Sequence, residues 1–388
     1  MLKTVKQIKE LKGRRVFLRT DFNVPIVNGK VADTNRIKES IPTIQYLLKA
    51  KAKVIIGSHL GRPEKSGDQK TSLKPVQKVL AKLLNRNVRI SPEVVGKKTT
   101  ELVENLKEGE ILMLENLRWE EGEEKGSSEF AKKLSRLADI YVNDAFAVSH
   151  RPHTSVFAVA KLLPSYAGLL IEKEVENLSK LLSRAKSPFI LILGGAKIAD
   201  KIGMIDNLAE KVDRILIGGA MGNTFLASQN AEMSKSLLEP EALLQAADYL
   251  QKYQDKIKLP VDSVKKEVEG GFSLMDIGPV TVKNYSKIIS GAKTVFWNGN
   301  LGYTEEKEYA KGTEEIAKTI SKNRGCFSVV AGGDTVSAID KLNLKSKFSF
   351  VSTGGGAALE FLAGTELPGL KVLEGKNNHT GSGIISTS

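Results

Sequence analysis

Short apolar, β-branched runs alternate along the chain with amphipathic stretches. Stretches such as 73–84 and 241–253 carry apolar residues at helical spacing, which predicts helices with one buried face. Buried strands between such helices predict parallel sheets covered on both faces. The predicted strands are 16–18, 54–56, 111–114, 140–142, 189–193, 215–217, 294–297, 327–330 and 348–351. Since these are too many for one comfortable sheet, we expect two α/β domains.

The predicted boundary between the domains is a single amphipathic helix. We expect an N-terminal domain over 1–167, a connecting helix over 168–185 and a C-terminal domain over 186–370. The tail, 371–388, becomes polar and rich in Gly and Ser, and it can fray or fold back on the N-terminal domain.

Positive charge is concentrated in the first part of the chain. Residues 1–150 hold 29 basic and 19 acidic side chains, so they carry +10 of the total charge of +13 over 388 residues. Ten of the thirteen arginines lie at or before Arg151. Arginine binds phosphate and carboxylate in a bidentate way, so this part is suited to a small anion or to nucleic acid.

The composition excludes several other classes. No apolar run approaches the roughly 20 residues that a membrane-spanning helix needs. The N-terminal residues resemble neither a signal nor a transit peptide. A single cysteine, Cys326, favours a reducing cytoplasm, and four histidines without ligand spacing argue against structural zinc.

Polar residues and glycines follow the predicted strands, where open parallel sheets bind ligands. The first half places arginine, histidine and asparagine there, and the second half places glycine pairs, lysines and a carboxylate. Glycine turns before helices expose backbone N–H groups to phosphate. This division predicts a small anionic substrate on one domain and a nucleotide on the other, although no P-loop or dinucleotide fingerprint occurs.

Individual residues leave alternatives open. Lys197 and Lys201 are predicted to share one helical face, where they can reach a transferring phosphoryl group or form a solvated pair beside Asp200. Asp334 can hold Mg²⁺ beside bound phosphates or cap a helix. Each arginine taken alone can equally be a surface residue.

As an ordered set, the strand-end segments resemble the phosphoglycerate kinase family, from about residue 3 to about residue 369. The first half matches at 19–25 (RTDFNVP), 33–37, 59–63 (HLGRP), 115–118 and 143–151. The second half matches at 194–201, 218–221, 259–262, 276–279, 297–299, 332–335 and 354–357. Each segment alone is weak evidence for the family, but the whole set in this order is specific to it.

The resemblance implies reversible phosphoryl transfer between 1,3-bisphosphoglycerate and ADP, giving 3-phosphoglycerate and ATP. It implies two Rossmann-like domains that face each other across a cleft, are joined by a helix and close by hinge bending. Mg²⁺ is the expected cofactor, with ADP or ATP as co-substrate. The expected enzyme is a cytoplasmic, glycolytic monomer that acts on small molecules, without nucleic-acid or membrane partners.

The family's site residues carry over position by position. The resemblance implies a substrate site formed by Asp21, Phe22, Asn23, Arg36, His59, Leu60, Gly61, Arg62, Arg118 and Arg151. It assigns catalytic roles to Arg36, Lys197 and Lys201. It assigns the nucleotide to Gly195, Lys201, Gly219, Asn298, Glu305, Ala331, Gly332, Gly333, Asp334 and Thr335, with Asp334 as the metal ligand. The chain departs from the family pattern at Leu274, Asn300, Thr304 and Ala331.

The sequence contains features that bear on three rival functions. A different ATP-dependent carboxylate kinase would also place an anionic substrate on one domain and a nucleotide on the other. The arginine set, however, favours a substrate with both a phosphate and a carboxylate. A nucleic-acid-binding protein would interleave aromatic with basic residues, whereas aromatics are 6% of this chain. An inactive homologue would have lost Lys197, Lys201 or Asp334, and all three are present.

Overall fold

A computed structural model describes residues 2–375, which divide into two compact units. Of the described residues, the first unit comprises 2–145, Arg151–Glu172 and 368–375. The second comprises Phe146–His150 and Lys173–Leu367. The predicted connecting helix exists over Leu169–Ser183, and the two units divide within it. The predicted domain limits stay predictions, because a compact unit of the structure need not be a domain that folds on its own.

Strands and helices alternate through both units. Within residues 2–375 the strands are β1 Arg15–Arg19, β2 Ile26–Val27, β3 Lys30–Val31, β4 Lys53–Gly57, β5 Arg89–Ile90, β6 Ile111–Met113, β7 Ile140–Asn143, β8 Ser165–Ala167, β9 Phe189–Leu193, β10 Arg214–Ile217, β11 Ile257–Lys258, β12 Ser263–Val268, β13 Gly271–Ile277, β14 Thr294–Asn298, β15 Phe327–Ala331 and β16 Phe350–Val351. The α-helices in the same range are α1 Asn35–Lys49, α2 Lys74–Leu84, α3 Lys97–Glu104, α4 Ser128–Ser135, α5 Leu169–Ser183, α6 Ile202–Leu208, α7 Gly219–Ala227, α8 Leu243–Lys252, α9 Pro279–Ser290, α10 Lys311–Lys322, α11 Gly333–Lys341, α12 Gly356–Leu362 and α13 Pro368–Lys371.

The first unit is built on a parallel sheet whose described strands lie in the order β5-β6-β4-β1-β7-β8. Its central strand β1 pairs in parallel with β4 and β7, with Phe17 opposite Ile55 and Tyr141. The middle strands are apolar and buried at their centres, as in a parallel sheet that is covered on both faces, and their polar residues lie at the strand ends. The strand order reverses between β1 and β7, so ligands are expected beyond the carboxyl ends there.

The second unit repeats this plan with the order β11-β10-β9-β14-β15-β16. All five residues of β9 and of β14 are buried, and the order reverses between these two strands. Their carboxyl ends lead into Gly194 and Gly299, so the glycine turns lie where a ligand is expected.

The predicted fold class is confirmed, and nine predicted strands exist with shifts of one or two residues at their ends. The apolar pattern missed the short edge strands β5, β8 and β11, which have only two or three residues each. It also missed two antiparallel hairpins, β2–β3 and β12–β13. In the first hairpin, Asn28 and Gly29 have φ values of 49° and 71°, the left-handed pair that a two-residue turn requires.

The described part of the C-terminal tail belongs to the first unit. Lys3 N donates to Leu373 O at 3.1 Å, and Leu2 bridges to Glu374. The predicted fold-back of the whole tail stays a prediction, and its residues after 375 lie outside the described part of the chain.

Candidate active site

In the first unit, the loops that follow β1 and β4 are joined by hydrogen bonds. Phe22 N donates to Ser58 Oγ at 2.8 Å, and Gly61 N donates to Asn23 Oδ1 at 2.8 Å. Gly61 has φ +60°, which few other residues adopt without strain. These bonds position the polar side chains of both loops at the carboxyl edge of the sheet.

Arginines and a histidine gather at this edge around one carboxylate. Arg36 pairs with Asp21 through Nη1, and His59 Nδ1 lies 3.8 Å from the same carboxylate. Arg118 Nη1 donates to Gly61 O at 2.7 Å, and its Nη2 pairs with Glu124 at 2.9 Å. The structure thus brings together most of the side chains that the sequence predicts for the substrate.

The electrostatics of this cluster favour an anion. Burial lowers the pKa of His59 well below its usual value, and the charges of Arg19, Arg118 and Arg36 lower it further. Burial also lowers the pKa of Arg118, and nearby Arg151 acts in the same direction. His59 is therefore neutral at physiological pH, while the arginines keep their charge and attract an anion.

Three predicted substrate residues are not among the polar side chains that contact one another in this cluster. Phe22 and Leu60 are buried, so their side chains pack in the core and only their backbones lie near the site. Arg62 is exposed, and it is not among the arginines that lower the pKa of His59. Its predicted role in substrate binding therefore stays a prediction with no geometric support here.

Sequence reasoning missed one member of the cluster, Arg19. It is fully buried at the end of β1, and its Nη2 donates to His59 Nδ1 at 3.3 Å. An arginine at the end of the otherwise apolar run Val16-Phe17-Leu18 was the available signal. A charge is seldom buried there without a partner, so the position itself points to a polar site.

In the second unit, a pocket of about 240 Å³ opens at the carboxyl ends of β9, β10 and β14. It is lined by Gly195, Ala196, Gly219, Ala220, Leu237, Ser273, Leu274, Met275, Gly299, Asn300, Gly302, Tyr303, Glu305 and Asp334. Apolar walls with a few polar groups are typical of a site for a small organic ligand. The location at the switch point of the sheet agrees with this interpretation.

Four predicted nucleotide residues line this pocket: Gly195, Gly219, Glu305 and Asp334. The others lie behind it or beside it. Asn298 Nδ2 donates to Ala331 O at 3.0 Å, and Thr335 Oγ1 accepts from Gly299 N at 2.8 Å.

The glycine pair before Asp334 shapes the start of α11. Gly332 has φ +100° and precedes the helix, and Gly333 is its first residue. No side chain caps this helix, so no side chain satisfies its first amides, and Asp334 in its first turn lines the pocket.

The predicted placement of the two lysines on one helical face is wrong. Lys197 is exposed in the irregular segment after β9, whereas Lys201 ends a 3₁₀ turn and is 6% exposed. Lys201 Nζ donates to Lys197 O at 3.2 Å, and burial lowers the pKa of Lys201. The glycine turn delays the helix, so the two side chains have different surroundings.

The pocket contains residues that sequence reasoning did not assign. Hairpin β12–β13 supplies Ser273, Leu274 and Met275. The signal was Glu269-Gly270 between two alternating segments, a two-residue hairpin turn in which Gly270 has φ +76°. Two departures from the family pattern meet here, since Asn300 Nδ2 donates to Thr304 Oγ1 at 2.7 Å.

The residues present fit a magnesium ion only in part. Within residues 2–375 no group of three or more His, Cys, Asp or Glu side chains can hold a metal. Asp334 is exposed and lines the pocket. One carboxylate fits Mg²⁺ held mainly by nucleotide phosphates and water, which is its common mode in phosphoryl-transfer sites.

None of the described helices is long and apolar enough to cross a membrane.

An arginine-rich sheet edge on one α/β unit and a small-molecule pocket on the other are features expected of an α/β phosphotransferase. The family model described as phosphoglycerate kinase matches residues 5–365. Phosphoglycerate kinases of Leptospira biflexa and Thermosipho africanus are each 45% identical to the chain, over 94% and 96% of its length and 96% and 98% of theirs. The chain belongs to the phosphoglycerate kinase family.

Solved structures agree with this assignment. Phosphoglycerate kinase from Pyrococcus horikoshii is 33% identical with a TM-score of 0.88, and the match covers 96% of this chain and 98% of that one. The enzyme from Coxiella burnetii is 36% identical with a TM-score of 0.84, covering 96% and 99%. The chain is therefore a glycolytic kinase that transfers a phosphoryl group reversibly between 1,3-bisphosphoglycerate and ADP, giving 3-phosphoglycerate and ATP.

Proposed function

We propose that the arginine cluster of the first unit binds the phosphoglycerate and that the pocket of the second unit binds Mg-nucleotide. The observation that carries the proposal is electrostatic. Arg19, Arg36 and Arg118 all lie close enough to His59 to lower its pKa, so three guanidinium groups converge on one neutral side chain. Guanidinium groups gathered at a sheet edge can bind a phosphate or a carboxylate in a bidentate way.

On the substrate side, we assign Arg36 to the reacting carboxyl end and Arg118 to the distal phosphate. Arg36 is about one-third exposed and is held by Asp21, so its guanidinium is oriented while remaining accessible. Arg118 is 7% exposed and is fixed by Gly61 O and Glu124, as suits an anchor. Asn23 and His59 complete the polar contacts.

On the nucleotide side, we assign Glu305 to the ribose hydroxyls and the amides near Gly195, Gly219 and Gly333 to the phosphates. Asp334 would hold Mg²⁺, which when bound neutralises charge on the phosphate oxygens. Because Leu274 and Asn300 also line the pocket, we assign base selectivity to them.

The transfer needs no protein nucleophile, because the acyl phosphate is already an activated anhydride. The protein's contribution is positioning and neutralisation of charge on the transferring group. Lys197 is exposed at the carboxyl end of β9, where its ammonium is available to that group. The two candidate sites lie on different units, and closure by hinge bending is the motion by which we expect the two ligands to meet for direct transfer.

We also propose a cytoplasmic monomer that acts without nucleic acid. Cys326 is buried, and burial raises its pKa to about 11, so this single thiol is unreactive and has no disulfide partner. The monomeric state rests on the family resemblance alone, and sedimentation at working concentrations tests it.

The test uses the two lysines. Lys197→Ala removes one preorganised electrostatic donor, which typically lowers kcat by about 10²–10³. We expect its Kd for Mg-ADP to change much less. Lys201→Met keeps the buried stem but loses the bond to Lys197 O, so we expect weaker nucleotide binding as well as lower kcat. The measurements are kcat and the Mg-ADP Kd by calorimetry.

Lys211→Ala is the matched control, because Lys211 Nζ also donates to the carbonyl four residues earlier but does so at an exposed position. It should leave both quantities unchanged. If both lysine variants raise the Mg-ADP Kd equally and leave kcat unchanged, the roles assigned to Lys197 and Lys201 are refuted.

A further inference from the structure

Behind the substrate edge, Arg19 takes part in a buried chain of hydrogen bonds. The side chain is 0% exposed. Its Nε donates to Ser155 Oγ at 2.8 Å, and its Nη2 donates to His59 Nδ1 at 3.3 Å. One guanidinium thus connects His59 to a serine that is distant in sequence.

Ser155 in turn donates hydrogen bonds to a buried carboxylate. Its Oγ donates to Glu123 Oε1 at 2.5 Å, and its backbone N donates to Glu123 Oε2 at 3.0 Å. Since Oγ has a single hydrogen and accepts from Arg19, that hydrogen goes to Glu123. Both oxygens of Glu123 are then acceptors, as in an ionised carboxylate.

Glu123 is the counter-charge of Arg19. It is 0% exposed, and burial raises its pKa, while the charge of Arg19 and the bonds from Ser155 act in the opposite direction. A buried guanidinium is stable only when paired, so removing the charge of Glu123 would leave Arg19 uncompensated. The orientation of Arg19 therefore depends on Glu123 through Ser155.

The hydrogen bond between Arg19 and His59 determines which tautomer the neutral His59 ring adopts. A guanidinium can only donate, so His59 Nδ1 must be the acceptor. The neutral ring then carries its proton on Nε2. This tautomer presents an N–H donor at Nε2, the form that is useful towards an anion.

We infer that Glu123 and Ser155 are positioning residues for substrate binding: they hold Arg19 so that its guanidinium fixes His59 as the Nε2–H tautomer. The inference rests on the proposed function, in which His59 contacts the phosphoglycerate. Neither Glu123 nor Ser155 touches the substrate, and both act through Arg19.

NMR spectroscopy detects the tautomer of His59 directly and so tests the inference. In full-length protein with ¹⁵N-labelled histidine, two-bond ¹H–¹⁵N correlation spectra distinguish a protonated from an unprotonated Nδ1. The signals of His59 are assigned by their loss in His59→Gln. We expect an unprotonated Nδ1 in the unsubstituted protein, and a mixture of tautomers in Glu123→Gln and in Ser155→Ala.

Kinetics supply the second readout. We expect KM for 3-phosphoglycerate to rise about tenfold in both variants, with KM for ATP unchanged, because the hydrogen bond from His59 to the charged substrate is weakened. Glu121→Gln is the matched control, because it makes the same substitution in the same segment at an exposed position. It should change neither the tautomer nor KM.

The possible failures are distinguishable. A protonated Nδ1 in the unsubstituted protein, or unchanged His59 signals in Ser155→Ala, would overturn the inference. The first of these does not require the Glu123 or Ser155 variants to fold. If instead His59→Gln leaves KM for 3-phosphoglycerate unchanged, the proposed substrate site itself is wrong.

Discussion

Asp144 is the buried carboxylate whose titration should be visible in the stability of the first unit. It is 0% exposed, and its Oδ1 accepts from Leu170 N at 2.9 Å, in the first turn of α5. In the described part of the chain, its Oδ2 has no hydrogen-bond partner. Gly168 leaves room for it, since a Cβ there would lie 2.1 Å from Oδ1.

Burial raises the pKa of Asp144 from its ordinary 3.8 to about 7, against the opposing hydrogen bonds from Thr43, Leu170 and Ile171. The folded state therefore binds this proton more tightly than the unfolded state does. The contribution of Asp144 to stability is greatest below about pH 4 and falls as the pH rises to about 7, where the folded carboxyl also ionises. The gap between the two pKa values corresponds to about 4 kcal/mol.

Asp144→Asn removes this titration and keeps an oxygen that can accept from Leu170 N. We predict that the unfolding free energy of the variant, minus that of the parent, increases by about 4 kcal/mol between pH 4 and pH 8. The chain has two tryptophans, Trp119 in the first unit and Trp297 in the second. Urea unfolding in a Trp297→Phe background, followed by fluorescence, therefore reports on the unit that contains Asp144.

Asp68→Asn in the same background is the control, because Asp68 also accepts from a helix-terminal amide, Lys70 N at 3.0 Å, but at an exposed site. Its free-energy difference should vary little with pH. If the Asp144→Asn difference is equally flat, the burial argument is wrong and the helix N-terminus keeps this carboxylate ionised throughout.

Two further predictions concern the arginine cluster. Arg36→Ala should lower kcat more than Arg118→Ala does, whereas Arg118→Ala should mainly raise KM for 3-phosphoglycerate, because a lost transition-state contact slows the reaction and a lost anchor weakens binding. Steady-state kinetics check this, and a pure KM effect of Arg36→Ala would remove it from the catalytic role. Raising the salt concentration should weaken 3-phosphoglycerate binding through screening of the arginines. A calorimetric Kd that stays constant with ionic strength would show that their charge does not act at the site.

Local patterns were sufficient to predict the fold class and the central strands. A strand such as β9 is apolar at every position because both faces of a parallel sheet are covered, and that requirement is visible in the sequence itself. Edge strands such as β5 and β11 have two residues each, too few to show any periodicity. They form because a neighbouring strand offers hydrogen-bonding partners, which is a tertiary condition.

The chemistry of the candidate site divides in the same way. Residue type and position after a strand pointed to His59, Arg118 and Asp334 as candidates, because ligands bind at the carboxyl ends of parallel strands. Arg36 lies in the first turn of α1 and was assigned only by the family resemblance. The hairpin that lines the nucleotide pocket was missed, since its strands are partly exposed and alternate with charges. Only the folded chain shows that Leu274 comes from this hairpin into the pocket.

By itself, the sequence determined which anion-binding and nucleotide-binding groups are present and which half of the chain holds them. The tertiary structure decided the state of those groups. Arg19 and Ser155 are 136 residues apart, and Ser155 and Glu123 are 32 apart, so no local pattern links them. Burial and donor geometry around His59 arise only when these segments pack together, and they set its pKa and its tautomer. Protonation depends on the surroundings of a side chain, and those surroundings are made by long-range contacts.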